Sequence, residues 1–358
     1  MAARCTLCGF PTIISRTHRW EDGCIINKAS GNANFSIYEA CFHNGLFEEL
    51  ERRLGPPINR MVYIAGRIAA AGIARNLFSD RPAVQKLIFR TPLYRCTQRS
   101  LIRFTRAIGM GKIELLGHRK GKMGAVRVTN PFHLAHCTAV ILGGLDVMYG
   151  FPVSFTARME GESYVGELIP GKRDAIGSED AYLRLASERL LPSTRDGGRS
   201  LPACNRCGAP AELGRLFSFH LDEGVIEERA TGDRHIFYGH QSLNAILREF
   251  ERELGPEIRD FFVQAEKENF AAKLTTYTES DDQWSEDNLR RYLSLRGMGF
   301  LSRMEEVEGQ TRFEVCNVFV PTVVAGRLVA LWEHEKGAPA DFVYRSEGNI
   351  LRLNINPA

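Results

Sequence analysis

Cys5-Thr-Leu-Cys8-Gly-Phe-Pro11 is the first copy of a motif that occurs again as Cys204-Asn-Arg-Cys207-Gly-Ala-Pro210, and this repeat indicates how the chain is organised. Two cysteines with two residues between them let two thiolates face one point, and the glycine lets the backbone turn toward the sulfurs. Each such knuckle is half of a tetrahedral metal site, and zinc is the metal that thiolates favour in this geometry. The two knuckles therefore predict a metal-binding protein.

The ligand set is open between two arrangements. In the first, which the sequence favours, two homologous halves share one metal, held by Cys5, Cys8, Cys204 and Cys207. In the second, each knuckle has its own metal: the first knuckle is completed by Cys24 and Cys41, and the second uses His220, His235 or His240. The alternative to metal binding is a pair of unliganded or redox-reactive turns. Four cysteines would leave no open coordination position, so we expect a structural rather than a catalytic zinc.

The order of elements after each knuckle is the same. A predicted β-hairpin is followed by a helix that ends in Leu54-Gly55-Pro56 or Leu254-Gly255-Pro256, a glycine cap before a proline. Further helices lead to Gly109-Met-Gly111 or Gly297-Met-Gly299, and then a strand pair. The last part of each half is an asparagine turn, an apolar helix and two strands. These correspondences predict an α+β fold with an internal duplication: two similar domains, each with helices and an antiparallel sheet, packed as a pseudo-dimer.

The predicted boundaries follow from this repeat. Residues 1–170 form copy 1, residues 171–202 form a linker with a short helix at Ser178–Leu190, and residues 203–358 form copy 2. Each copy consists of a knuckle and the domain that follows it.

Bulk composition limits the classes of function. The chain has 358 residues, 44% hydrophobic and 25% charged, with a net charge of +3. These values are typical of a soluble globular protein and give no electrostatic case for nucleic acid or an anionic membrane. No apolar run reaches the roughly 18–20 residues that span a bilayer, and a signal peptide is missing at the start. We expect a cytoplasmic protein whose cysteines are metal ligands or buried thiols rather than disulfides.

The later part of each half resembles the 4-vinyl reductase, or hydrocarbon-binding, domain family. The resemblance is carried best by residues 109–169, with Gly109-Met-Gly111, a hairpin, Asn130-Pro-Phe132, an apolar helix and Gly150-Phe-Pro152, and more weakly by residues 297–355. It implies a sensor or carrier domain, often dimeric, with an apolar pocket between helices and sheet. Many relatives hold zinc with paired cysteines near the last glycine turn. Ala157 and Val165 stand there in this chain, so the resemblance does not carry that zinc site over.

The resemblance directs attention to the turn that enters the first apolar helix. His133, His136 and Cys137 lie there, and with Phe132 and Tyr149 they form the predicted ligand-binding set. The functional interpretation makes the histidines polar anchors for a ligand or axial ligands to a tetrapyrrole iron. The alternative is histidines hydrogen-bonded at a helix start, with the aromatic residues in the core. The second copy has valines at the corresponding positions, Val320, Val323 and Val324.

The sequence lacks the phosphate-binding loop, the nucleophile elbow and the dinucleotide fingerprint. It therefore favours a binding protein over an enzyme: a regulatory or sensor protein for an apolar or aromatic ligand, tetrapyrroles included, with structural zinc and a protein partner as its output. The alternative hypothesis is an enzyme or assembly factor that uses His133, His136 or Cys137 on an apolar or tetrapyrrole substrate. A third is a purely structural partner-binding protein. A homodimer of the fused pair is compatible with each of them.

Overall fold

The computed structural model describes residues 4–55, 57–78, 93–116, 124–149, 152–171, 190–193, 201–277 and 284–358. Within these ranges the fold is α+β with antiparallel sheets, which confirms the predicted fold class. The predicted linker helix lies outside the described residues except for Leu190.

The first half begins with the knuckle, a short helix and a hairpin, and ends with a four-stranded sheet. Its helices are α1 (Thr12–Thr17), α2 (Ala40–Leu54), α3 (Pro57–Phe78), α4 (Leu93–Ala107) and α5 (Leu134–Tyr149). Its strands are β1 (His18–Glu21), β2 (Cys24–Asn27), β3 (Ala33–Glu39), β4 (Lys112–Leu116), β5 (Ala125–Thr129), β6 (Val153–Glu160) and β7 (Ser163–Pro170).

The second half repeats this order element by element. Its helices are α6 (Leu213–Leu216), α7 (His240–Leu254), α8 (Ile258–Tyr277), α9 (Glu286–Arg296) and α10 (Pro321–Lys336). Its strands are β8 (Phe217–His220), β9 (Val225–Glu228), β10 (Arg234–Gly239), β11 (Phe300–Val307), β12 (Gln310–Cys316), β13 (Ala340–Glu347) and β14 (Ile350–Pro357).

The two halves share one six-stranded sheet, in the order β1-β2-β3-β10-β9-β8. Its centre is the antiparallel pair of β3 and β10, in which Ile37 lies opposite Phe237. These two residues occupy matching positions of the repeat, so the local two-fold relation passes between them. Each half also has its own sheet, β4-β5-β7-β6 or β11-β12-β14-β13, with the same strand order in both.

Local sequence explains the repeated turns. Gly55 and Gly255 both end a helix at a φ of 93°, a backbone conformation open to glycine and strained for residues with a Cβ atom. Asn130 and Asn317 have φ values of 51° and 60° at the start of the two apolar helices. Asparagine is among the few other residues that tolerate this region, which accounts for its presence in both copies.

Each hairpin packs against the opposite half. The Trp20 indole N–H donates to the carbonyl of Leu295 at 3.1 Å, and the Ser36 hydroxyl donates to that of Gly297 at 3.1 Å. In the other direction, the amide of Phe237 donates to the carbonyl of Ile108 at 2.9 Å. The central sheet is therefore the structural link between the two later domains.

Apolar burial is continuous across the halves. One core runs from the knuckles through the central sheet to α10, and it includes Phe10, Ile37 and Phe237. A second is formed by α2 and α3 of the first half with α7 and α8 of the second, and includes Phe47 and Phe250. Burial of this kind is the main stabilising term in folding, so the halves stabilise each other. Among the described residues, no helix has the length and apolarity needed to cross a membrane.

Candidate functional site

Both knuckles have the geometry that their sequence predicts. In the first, the amide of Cys5 donates to the carbonyl of Phe10 at 2.8 Å, and Gly9 turns the chain at a φ of 77°. In the second, the amide of Cys204 donates to the carbonyl of Ala209 at 2.7 Å, and Gly208 has a φ of 74°. The two turns have nearly the same shape although their intervening residues differ, because the cysteine spacing and the glycine set it.

The four knuckle cysteines meet at one point between the halves. Their sulfurs lie within 4.8 Å of one another, with 3.9 Å between Cys5 and Cys204 and 3.5 Å between Cys8 and Cys207. A tetrahedral zinc with bonds of about 2.3 Å places its sulfurs roughly 3.8 Å apart. The cluster has this size, its thiols are free, and Cys5 and Cys204 are buried. It could hold one metal ion, with no histidine, carboxylate or open position in the set.

Protonation at the cluster is unequal. Backbone N–H groups, that of Cys8 foremost, lower the pKa of the Cys5 thiol to about 6. Burial raises the pKa of the Cys8 thiol to about 12. A cation that binds all four sulfurs must therefore displace a proton from Cys8, which makes metal affinity depend on pH.

The other residues considered as ligands for separate metals lie apart from this cluster. The Cys24 sulfur is 3.9 Å from the carbonyl oxygen of Asn317, and Cys41 is exposed at the start of α2. His220 pairs with Glu227 on the β8–β9 hairpin.

The first half contains an apolar cavity of about 230 Å³. Its walls come from α3, α4, α5 and β4, and from β3 and β10 of the central sheet, and include Ala70, Phe104, Val140 and Phe237. Because β10 belongs to the second half, the cavity is built by both halves. No described lining residue is an Asp, Glu, Lys or Arg; the polar ones are Gln98, Thr105, His136, Tyr238 and Ser242.

One end of the cavity carries a buried polar cluster. The Tyr238 hydroxyl lies 3.0 Å from His43 Nε2 and 3.4 Å from His136 Nδ1. Phe132 packs edge-on against His43, with ring centroids 5.2 Å apart. Tyr238 can donate to one imidazole and accept from the other, so the two rings fix the orientation of its hydroxyl.

Burial keeps these imidazoles neutral at pH 7. It lowers the pKa of His136 to about 3 and that of His133 to about 4, and takes the pKa of His43 well below its usual value. Burial also raises the pKa of Tyr238 well above its usual value. The cluster offers a neutral hydrogen-bonding surface and no charge.

The predicted ligand-binding residues are distributed around this end. Phe132 and His136 line the cavity. The His133 ring is half-buried and does not line it; its Nδ1 accepts from the amide of His136 at 3.2 Å, as a helix cap does. The Cys137 thiol is buried and donates to the carbonyl of Met110 at 3.2 Å. The side chain of Tyr149 lies outside the described residues.

His43 and Tyr238, which come from α2 and from the other half, are not among the residues that the sequence predicts for this site. Tyr238 had one available signal, since Tyr38 stands at the matching position of the first β-hairpin. At the corresponding end of the second half, Val320, Val323 and Val324 line a space of only about 20 Å³.

Comparisons with known proteins leave the family of this chain open. No family model matches it, and no curated protein matches it. One solved structure with local similarity is the phenol-responsive sensory domain of the transcription activator PoxR with phenol. The match has 15% sequence identity and a TM-score of 0.31, and covers 41% of this chain and 87% of that one. A TM-score of this size does not establish a common fold.

Proposed function

We propose that the protein binds a small, apolar molecule in the cavity of its first half and serves as a ligand-binding regulatory protein. The observation that carries this proposal is the cavity itself, about 230 Å³ with walls that are almost wholly apolar. An engineered apolar cavity of about 150 Å³ binds benzene, and pockets for drug-sized ligands start near 300 Å³. The volume suits one or two rings and is small for a tetrapyrrole.

The polar end supports a ligand with one uncharged polar group. Tyr238 and His136 line the cavity, and the low pKa of His136 leaves its imidazole neutral. A carboxylate would be desolvated there with no opposite charge, which costs several kcal/mol. A hydroxyl could exchange hydrogen bonds with the cluster at little cost. The proposed ligand is therefore a compact aromatic or alicyclic compound, neutral, with at most one hydroxyl or carbonyl group.

We further propose that the four cysteines hold one structural zinc. The supporting observations are the sulfur separations and a ligand set that, among the described residues, consists of cysteines alone. The ion would join segments from the two halves. Because β10 of the second half forms a wall of the cavity, a bound ligand can change how the two halves pack. A protein partner that binds one packing arrangement more tightly than the other would convert this change into a regulatory effect.

The alternative enzymatic function has less support. Cys137 does not line the cavity, and burial raises the pKa of its thiol to about 11, which disfavours a nucleophilic thiolate. His133 does not line the cavity either. Of the three residues proposed for chemistry, His136 alone can touch a bound molecule.

The proposal is tested by calorimetric titration with toluene and para-cresol. Val140→Phe fills the cavity, so we expect it to weaken toluene binding at least about tenfold, which is about 1.4 kcal/mol. Val343→Phe makes the same change at a residue that is 60% exposed on β13, and should bind as the wild type does. Equal toluene affinity in the two variants would contradict the proposed site.

The role of the polar end has its own test. If Tyr238 orients a hydroxyl group, para-cresol should bind more tightly than toluene, and Tyr238→Phe should remove that advantage while toluene still binds. A para-cresol preference that survives in Tyr238→Phe would assign the polar contact elsewhere.

The proposed zinc site is tested separately, by zinc analysis of the purified chain, with one zinc per chain expected.

A further inference from the structure

The second half has charged residues where the first half has its cavity. Gly239 follows Tyr238 in β10, and Glu39 follows Tyr38 in β3. Gly66 and Glu266 stand equally far beyond the matching caps Gly55 and Gly255, and Val140 and Arg327 stand equally far beyond Asn130 and Asn317. In three dimensions, Gly239 and Val140 line the first-half cavity. A Cβ atom on Gly66 would lie 3.1 Å from His136, at its polar end.

The charged residues at these positions form a buried triad: Glu39, from β3 of the first half, with Glu266 and Arg327 of the second half. Arg327 Nε donates to Glu266 at 2.7 Å, and its terminal nitrogens donate to both Glu39 oxygens. The guanidinium lies over the ring of Tyr38 at 4.7 Å and also donates to the Tyr292 hydroxyl at 2.7 Å. All three members of the triad are at most 1% exposed.

The charges of the triad are compensated within it and by two neighbours of Glu39, His235 and Arg296. Burial by itself would raise the pKa of Glu39, but Arg327 and His235 lower it below its usual range. Burial would lower the pKa of Arg327, but Glu39 together with the other neighbours of the guanidinium holds that pKa well above its usual value. A buried ion group with both partners present is tolerated, whereas removal of one partner strands a charge. The triad can therefore occupy, in the second half, the space that corresponds to the first-half cavity.

Two separate spaces lie beside the triad, where the first half has one cavity; Tyr38, which contacts Arg327, lines one of them, and Glu39 lines the other. On one side lies the pocket of about 20 Å³ lined by Tyr38 and the valines of α10. On the other side is an outer cleft of about 400 Å³, lined by charged side chains such as Glu39 and Arg296 as well as by apolar ones such as Phe270 and Leu274. An apolar ligand in that cleft would desolvate charged groups without replacing their hydrogen bonds.

We propose that the buried triad fills the space in the second half that corresponds to the cavity, so that each chain binds one apolar ligand. The ligand lies in the first-half cavity, against Val140 and Gly239 and near Gly66. This inference rests on the proposed function and assigns its stoichiometry and its specificity-determining residues. The first half would then respond to ligand, while the second half is held permanently in a filled state.

Bromobenzene is the probe, because it is apolar and its bromine can be located by anomalous scattering. We expect calorimetry to give one bromobenzene per wild-type chain and diffraction to place it in the first-half cavity. A bromobenzene in the outer cleft or beside Tyr38, with or without one in the first half, would overturn the triad proposal and leave small-molecule binding standing. Binding nowhere would overturn the proposed function and this inference together.

Exchange of residues between the halves tests the cause. Replacing the triad with the residues at the matching positions of the first-half cavity (Glu39→Gly, Glu266→Gly and Arg327→Val together) should raise the stoichiometry to two in a chain that keeps its circular dichroism. A folded variant that still binds one molecule would contradict the proposal. Removing all three charges together avoids stranding any one of them.

A milder variant covers the case in which the exchanged chain does not fold. Gly239 has an ordinary φ of −74°, and a Cβ atom there would meet no heavy atom nearer than 3.5 Å. Gly239→Leu should therefore fold and place its side chain in the cavity. We expect bromobenzene affinity to fall at least tenfold. Wild-type affinity in this variant would show that the ligand does not lie against Gly239, and would overturn the assignment.

Discussion

Tyr38 and Tyr238 show how far two equivalent residues can diverge within one chain. Both are buried in the central sheet, on β3 and β10. The hydroxyl of Tyr238 lies between two neutral imidazoles, whereas that of Tyr38 donates to Glu266, whose carboxyl is also bound by Arg327. Burial raises the pKa of both tyrosines. Residues of the packed helices therefore decide which hydrogen-bond partners each tyrosine hydroxyl has.

The buried imidazole of His136 predicts a pH dependence of stability. Its pKa is about 3 in the folded chain against 6.5 for an unperturbed histidine, and His43 and His133 face it. Between these values the unfolded chain binds the proton that the folded chain excludes, so stability falls as the pH drops below about 6.5. For one such group the loss from pH 7 to pH 5 is about 2 kcal/mol.

The test uses His136→Val, which copies Val323 of the second half. Urea unfolding at pH 7 and pH 5 should show that this variant loses about 2 kcal/mol less than the wild type over this interval. His334→Val removes an exposed histidine of α10 and serves as the control. If His136→Val and the wild type lose the same stability on acidification, His136 does not titrate as its burial implies.

At the scale of elements, the reciprocal contact between hairpins and glycine turns holds the halves in register. The amide of Gly299 donates to the carbonyl of Gly23 at 3.0 Å, and the amide of Gly111 donates to that of Gly224 at 2.8 Å. In each pair the tip of one half's hairpin lies against the turn before the other half's strand pair. Backbones approach this closely only where no Cβ atom intervenes.

Gly23→Ala should therefore be strongly destabilising. A Cβ atom at Gly23 would lie 2.2 Å from the carbonyl carbon of Gly299. Gly31→Ala is the matched control, since Gly31 has a similar φ of 73° against 75° and no heavy atom within 4 Å. We expect backbone strain to lower the free energy of unfolding by about 1 kcal/mol in both variants. The clash should lower it by about 1–3 kcal/mol more in Gly23→Ala, as measured by urea unfolding. An equal loss of stability in the two variants would show that the hairpin tip can move away from Gly299 without a loss of stability.

At the scale of the whole molecule, the four-cysteine cluster and the shared sheet join the same two halves. The cluster ties together knuckles that are 199 residues apart in the chain. Phe10, which follows the first knuckle, packs against Phe237 with ring centroids 6.3 Å apart, and Phe237 lines the cavity. A metal at the cluster would thus stabilise the interface that also forms a wall of the ligand site.

Metal removal should loosen this interface before it loosens either domain core. We expect chelation, or Cys204→Ser, to raise hydrogen exchange of the β3 and β10 amides at least about tenfold while β12 and β14 change little. Cys96→Ser replaces an exposed cysteine and should leave exchange unchanged. A uniform rise over both sheets would mean that the metal stabilises the chain globally, and no change would remove the structural role of the cluster.

The site was only partly predictable from sequence, for reasons that differ by residue. The knuckle cysteines could be found because their spacing and glycine are local signals, and Phe132 and His136 because they follow a repeated asparagine turn. His43 and Tyr238 could not be found, since their approach to His136 depends on the packing of α2 and β10. The proposed boundaries at residues 170 and 203 stay predictions, because the central sheet draws strands from both sides of them.

The sequence by itself determined the duplication, the order of elements in each half, the turns and the pairing of cysteines within each knuckle. These depend on short-range causes: apolar periodicity, glycine at positive φ and proline after a cap. Only the tertiary structure decided that the hairpins cross to the opposite half, that four sulfurs meet, and that one half is hollow where the other is filled by Arg327. Those outcomes depend on long-range packing and on the pairing of buried charges, which no local pattern specifies.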